Sequence, residues 1–76
     1  MMNTDKVLDA KGLSCPMPVV RSKKAMDEIK TGQVLELHTT DSGALNDIPA
    51  WARSANHQVL DHQEENGVYK FWIQKG

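Results

Sequence analysis

Lys6-Val7-Leu8-Asp9-Ala10-Lys11-Gly12-Leu13-Ser14-Cys15-Pro16-Met17-Pro18 changes backbone character within one short span. Lys6 to Ala10 reads as a strand, and Lys11 to Ser14 reads as a loop turned at Gly12. A helix is expected to begin near Cys15-Pro16, because proline in a first helical turn removes only an N–H that has no intrahelical partner. Val19, Ser22, Met26 and Ile29 then recur at three- and four-residue spacing and define a buried stripe. Gly32 is expected to close that helix, since glycine tolerates a left-handed cap.

Beyond Gly32 the pattern changes period. From Val34 to Thr39, Leu35, Leu37 and Thr39 share one face while Val34, Glu36 and His38 share the other, which predicts a strand packed on one side. Thr40-Asp41-Ser42-Gly43 is a loop of helix-capping residues. Leu45, Ile48, Trp51, Ala52 and Ala55 trace a second amphipathic helix, with a late start or a kink expected at Pro49. Gln58 to Glu65 reads as a third strand, Asn66-Gly67 as a hairpin turn, and Val68 to Lys75 as an aromatic-rich fourth strand.

The order βαβαββ implies a parallel pair followed by an antiparallel hairpin. Two helices and four strands pack economically as an α+β two-layer sandwich: a four-stranded mixed sheet with both helices on one face. The chain of 76 residues has room for a single domain, 1–76. Hydrophobic residues make up 39% and charged residues 25%, the balance of an ordinary globule. No apolar run approaches the roughly 20 residues of a membrane span, and the first residues lack a signal-peptide layout. A net charge of −1 gives no global field for nucleic acid or anionic lipid. These features predict a cytoplasmic protein with no membrane partner and no direct nucleic-acid binding.

Cys15 is the sharpest chemical feature. A lone cysteine excludes an internal disulfide, and no second thiol completes a redox pair or a zinc site. The start of a helix carries unpaired N–H groups and roughly half a positive charge, which favour a thiolate over a thiol. Lowering the ordinary cysteine pKa of about 8.5 by two units would make the thiolate the major form, a differential stabilisation of about 2.7 kcal/mol. Pro16 and Pro18 stiffen the chain around the sulfur. The competing reading, a small buried hydrophobe, gives that stiffness less purpose. On a helical projection Met17, Val20, Arg21 and Lys24 lie opposite the buried stripe and form a candidate docking patch, an apolar grip with a positive rim. His38, His57 and His62 lack both ligand spacing and a predictable approach to Cys15, so neither a metal site nor a catalytic base is expected. Asp9 and Asp41 are expected to cap and turn the loops at the strand ends.

Leu8 to Pro18, with its Cys-Pro-x-Pro core, resembles the signature of the TusA family of sulfur carriers, also called SirA-like proteins. Lys23-Lys24-Ala25, Asp47-Ile48-Pro49-Ala50-Trp51 and the aromatic strand ending in Lys75-Gly76 extend that resemblance to about residues 6–76. It implies a carrier whose Cys15 accepts sulfane sulfur as a persulfide from a cysteine desulfurase or a rhodanese. The sulfur then passes to a cysteine of an acceptor protein, in tRNA thiolation, cofactor sulfuration or sulfur oxidation, and some relatives are linked to selenium. No cofactor is implied. Many relatives carry Asp-Pro where this chain has Asp41-Ser42, a departure that bears on partner choice and leaves the cysteine untouched. Two rival readings are a thiol-dependent sulfurtransferase acting on small molecules and a nucleic-acid-binding or regulatory module. A last expectation concerns the sheet face away from the helices, where Val34, Val68 and Trp72 would form a weak apolar patch.

Overall fold

The strand Val34–Thr39 (β2) keeps the alternation of its sequence. Leu35, Leu37 and Thr39 are wholly buried, whereas Glu36 and His38 between them are half-buried. The computed structural model describes residues 4–13 and 17–76. Around β2 are a strand at Lys6–Ala10 (β1), helices at Met17–Met26 (α1) and Ala44–Ser54 (α2), and strands at Gln58–Glu65 (β3) and Val68–Gln74 (β4). The sheet order is β1-β2-β4-β3: β1 runs parallel to β2, and β4 lies antiparallel to both β2 and β3. This is the mixed four-stranded sheet with two helices expected from the sequence.

The core lies between the sheet and the helices. Leu35, Leu37, Phe71 and Ile73 from the central strands meet Ala25, Met26 and Ile29 from the first helical region, and Ala44, Ile48, Trp51 and Ala52 from α2. Phe71 is 1% exposed, so truncating it to alanine would cost about 3–5 kcal/mol.

Three local expectations need correction. First, α1 ends at Met26, six residues before Gly32. Glu28 and Ile29 instead donate to the Ala25 and Met26 carbonyls in tight three-residue turns. Asp27 and Glu28 give the reason, since carboxylates at a helix C-terminus oppose its macrodipole. The Lys75 ammonium reaches in and donates to the Ile29 carbonyl at 2.6 Å. Gly32, at φ +89°, serves the turn into β2. Second, α2 starts at Ala44 and carries Pro49 inside it, so the helix does not start late. Proline cannot serve the Leu45 carbonyl, but Leu45 is itself exposed, which makes that loss cheaper than in the core. Third, Ala44 takes the buried position expected of Leu45, and Ala55 is an exposed cap residue.

At the β3–β4 hairpin, Asn66 and Gly67 have φ of +52° and +80°, the two positive values of a tight hairpin turn. β3 is an edge strand, exposed along most of its length. Between Val59 and Asp61 the register shifts, so that Asp61 faces Trp72 and His62 faces Phe71. The His62 ring stacks over Phe71 with centroids 6.0 Å apart.

Candidate functional site: the pole after the first two strands

Because β1 and β2 are parallel, both chains leave the sheet at the same pole. The loop after β1 is shaped by its own backbone. Asp9 Oδ1 accepts the Lys11 N–H at 3.0 Å, and the Ala10 carbonyl accepts the Leu13 N–H at 3.3 Å. Gly12 sits at φ +82° with open space where a Cβ would stand, so the backbone angle alone selects glycine there. Its N–H donates to Thr40 Oγ1 at 2.9 Å and ties this loop to the one after β2. In that second loop Asp41 N–H donates to Thr39 Oγ1, and the Asp41 carboxylate accepts the Gly43 N–H at 3.1 Å. Asp9 and Asp41 therefore do the turn-forming work expected of them.

Cys15 and Pro16 lie outside the described residues, and so does the expected start of the helix there. Their neighbours in the chain do not. Leu13 packs against the core, and Pro18 is buried, with its carbonyl accepting the Ser22 hydroxyl at 2.7 Å. Ser22 is 0% exposed, so that bond satisfies the one polar group in the middle of the helix's buried stripe. Met17, Val20, Arg21 and Lys24 are all exposed, the two apolar ones at 37% and 47%. They share the outer surface of α1, next to the cysteine motif in the chain.

The histidines are dispersed. His57 stands at the opposite pole, where its Nδ1 accepts the Gly76 N–H at 3.0 Å and its ring meets the edge of Trp51. Burial and then the nearby Lys75 charge hold His57 below its ordinary value. His62 lies on β3. His38 is on the open sheet face, opposite Asp9 in register, and its Nε2 contacts Glu36 Oε2 at 2.5 Å.

Glu36 organises that open face. Its other oxygen accepts from Trp72 Nε1 at 2.9 Å and from Thr4 Oγ1 at 3.2 Å. Burial disfavours the charged carboxylate, yet the hydrogen bonds from His38 and Trp72 outweigh it and hold Glu36 below the usual carboxylate range. The apolar patch expected around Trp72 is corrected accordingly: Trp72 is half-buried with its indole N–H bonded, and Val34 is buried. Neither this network nor the Gly12–Thr40 tie was foreseen from sequence. For the tie the available signal was the run of hydroxyl and acidic residues Thr39-Thr40-Asp41-Ser42, and for the network it was the alternation that puts Glu36 and His38 on one face of β2. No helix among the described residues is long and apolar enough to cross a membrane.

The arrangement matches known proteins along nearly its whole length. A family model described as Sulfurtransferase TusA covers residues 6–75. The chain belongs to the TusA family. It is 60% identical to YrkI of Bacillus subtilis, named as a candidate sulfur carrier, over 99% of this chain and 100% of that protein. It is 39% identical to the sulfur carrier protein TusA of Allochromatium vinosum, over 99% of each chain. A crystal structure of a SirA-like protein from Desulfitobacterium hafniense superposes with a TM-score of 0.81 at 29% identity, covering 93% of this chain and 97% of that one. The βαβαββ order of this TusA-family chain is the one that superposes on the SirA-like structure.

Proposed function

We propose that this protein is a sulfur carrier whose Cys15 holds a sulfane sulfur as a persulfide. The observation behind this reading is membership of the TusA family over residues 6–75, joined to a single cysteine set in Cys15-Pro16-Met17-Pro18. The chemistry balances without an oxidant. The Cys15 thiolate attacks the terminal sulfur of a donor persulfide, a new S–S bond forms on Sγ, and the donor cysteine leaves as a thiolate. Delivery repeats the step in the other direction, with an acceptor thiolate attacking the sulfur carried on Cys15. Cys15 stands two residues before Met17, the first described residue of α1, and an anion at a helix start is stabilised by the free N–H groups. With no second cysteine in the chain, the sulfur cannot be expelled by an internal disulfide.

A carrier borrows the base and substrate pocket of each partner, so it needs an accessible thiol and a legible surface. In this reading Gly12 turns the loop that leads to the thiol, and Pro18, buried in α1, anchors the chain just after it. Met17, Val20, Arg21 and Lys24 form the surface that a donor (a cysteine desulfurase or a rhodanese) and an acceptor protein dock against. The protein works in a reducing compartment, the cytoplasm, where a lone thiol persists.

Intact mass measurement after incubation with a cysteine desulfurase and cysteine tests the proposal. The wild type should gain one reducible sulfur atom and Cys15→Ser none. Failure of the wild type to gain sulfur from a desulfurase and from a rhodanese alike would overturn it.

A further inference from the structure

The two edges of the sheet are defended unequally. β3 carries a register shift and the carboxylates of Asp61, Glu64 and Glu65, devices that discourage a further strand from pairing with it. β1, at the other edge, pairs with β2 in unbroken register from Lys6 to Ala10, and among the described residues no strand lies on its outer side. Val7 at the middle of that edge is 57% exposed, the most exposed large apolar side chain among the described residues. An open groove runs along the edge, bounded by Lys6, Val7 and Leu8 below and by Arg21, Lys24 and Glu28 of the first helical region above. Lys6 and Glu28 bond each other at 2.7 Å, and that contact holds the Glu28 carboxyl below the usual range. Their charges cancel, so the groove's net field comes from Arg21 and Lys24.

We propose that the outer edge of β1 takes up an extended segment of a partner protein as a fifth strand, a segment in which acidic and apolar residues alternate. Period two is what the groove reads. Side chains on one face of such a strand reach Arg21 and Lys24, while those on the other lie beside Val7. Carboxylates two residues apart are roughly 6.6–6.8 Å from one another along a strand, and the helical positions of Arg21 and Lys24 are about 4.5 Å apart in rise, a gap their long side chains absorb. Met17 and Val20 are exposed on α1 one turn before Arg21 and Lys24. A strand held there therefore brings its protein to the cysteine motif, so the inference extends the carrier reading to the kind of partner the carrier recognises.

The test is an NMR titration of the full chain with a short synthetic peptide of alternating glutamate and valine. A lysine–valine peptide and Cys15→Ser serve as controls. The acidic peptide should shift and protect the β1 amides, bind more weakly as salt rises, and bind about tenfold more weakly to Arg21→Glu/Lys24→Glu. Cys15→Ser should bind it like wild type. Absence of binding, equal binding of both peptides, or shifts confined to β3 would overturn the proposal. So would a salt-sensitive dimer in sedimentation that joins β1 to the acidic β3 of a second copy. Sulfur loading by the desulfurase is read separately. Loading without β1 protection sinks only the fifth strand, and β1 protection without loading sinks only the carrier.

Discussion

The two poles of the sheet are built in opposite ways. At the pole where β1 and β2 end, the described residues make local bonds: Lys11 to Asp9, Asp41 to Thr39 and Gly43 to Asp41 each span two residues. Among the described residues, the Gly12 N–H reaches across to Thr40 and ties the two loops together. At the opposite pole the chain is laced by contacts between distant positions. Gly32 N–H donates to the Lys75 carbonyl and Lys75 N–H to the Gln33 carbonyl, both at 2.8 Å. Thr31 reaches the Gly76 carbonyl, Gly76 reaches His57, and the Lys75 ammonium caps Ile29. Local turns hold a shape without binding it to the rest of the fold, whereas long-range bonds make one pole an anchor. The described parts of the first pole, Lys11 to Leu13 and Thr40 to Gly43, are thus shaped mainly from within.

Hydrogen exchange should show the largest contrast. The Gly32 and Lys75 amides should exchange only through openings close to global unfolding, orders of magnitude more slowly than those of Lys11 and Gly43. Equal rates would dissolve the comparison. Lys75→Met keeps the apolar stem but removes the charged donor to Ile29. Denaturant unfolding should show a loss of about 1.5 kcal/mol, with sulfur loading unchanged. Gly12→Ala meets no steric obstacle but must hold a left-handed backbone. It should cost about 1 kcal/mol in stability and slow sulfur acceptance by the desulfurase. Thr40→Val removes the cross-loop tie at an exposed position. It should cost about 0.5 kcal/mol, and its effect should be seen in the loading rate rather than in the unfolding midpoint.

The smallest effect concerns pH. Folding lowers the affinity of His57 for protons relative to an ordinary value of 6.5, chiefly through burial and then through Lys75, with Asp27 opposing. The stability that neutral His57 contributes is therefore full above pH 6.5 and is lost as pH falls through the lower folded value. His57→Gln should flatten the stability profile in that window. Glu36 has the same sign further into acid: its contribution is present above the ordinary carboxylate value and fades as pH falls through the folded one.

The pole of local turns was the more legible one from sequence. Gly12, the Cys-Pro-x-Pro core and the turn-forming Asp9 and Asp41 announce themselves locally, as do the alternation of β2 and the Asn66-Gly67 turn. The anchor pole was largely hidden, because Lys75 capping Ile29 joins residues at a separation of 46 that no local pattern reports. The same ignorance led Gly32 to be expected as a helix cap, when Asp27 and Glu28 had already made the helix end unfavourable. The cationic β1 groove was invisible for another reason: it exists only once β1 is known to be an edge and α1 to lie beside it.

The register shift in β3 also acts as a reading frame. Leu60 is the extra residue: Val59 faces Ile73 before it, and Asp61 faces Trp72 after it. In an uninterrupted ladder Leu60 would face Trp72, and the Asp61 carboxylate would lie over the buried Phe71 in place of the His62 ring. Removing Leu60 would thus leave every later pairing in phase, whereas losing any one residue from Gln63 to Glu65 would throw the hairpin out of step. Along this strand the chain can afford to drop one letter, and it is Leu60.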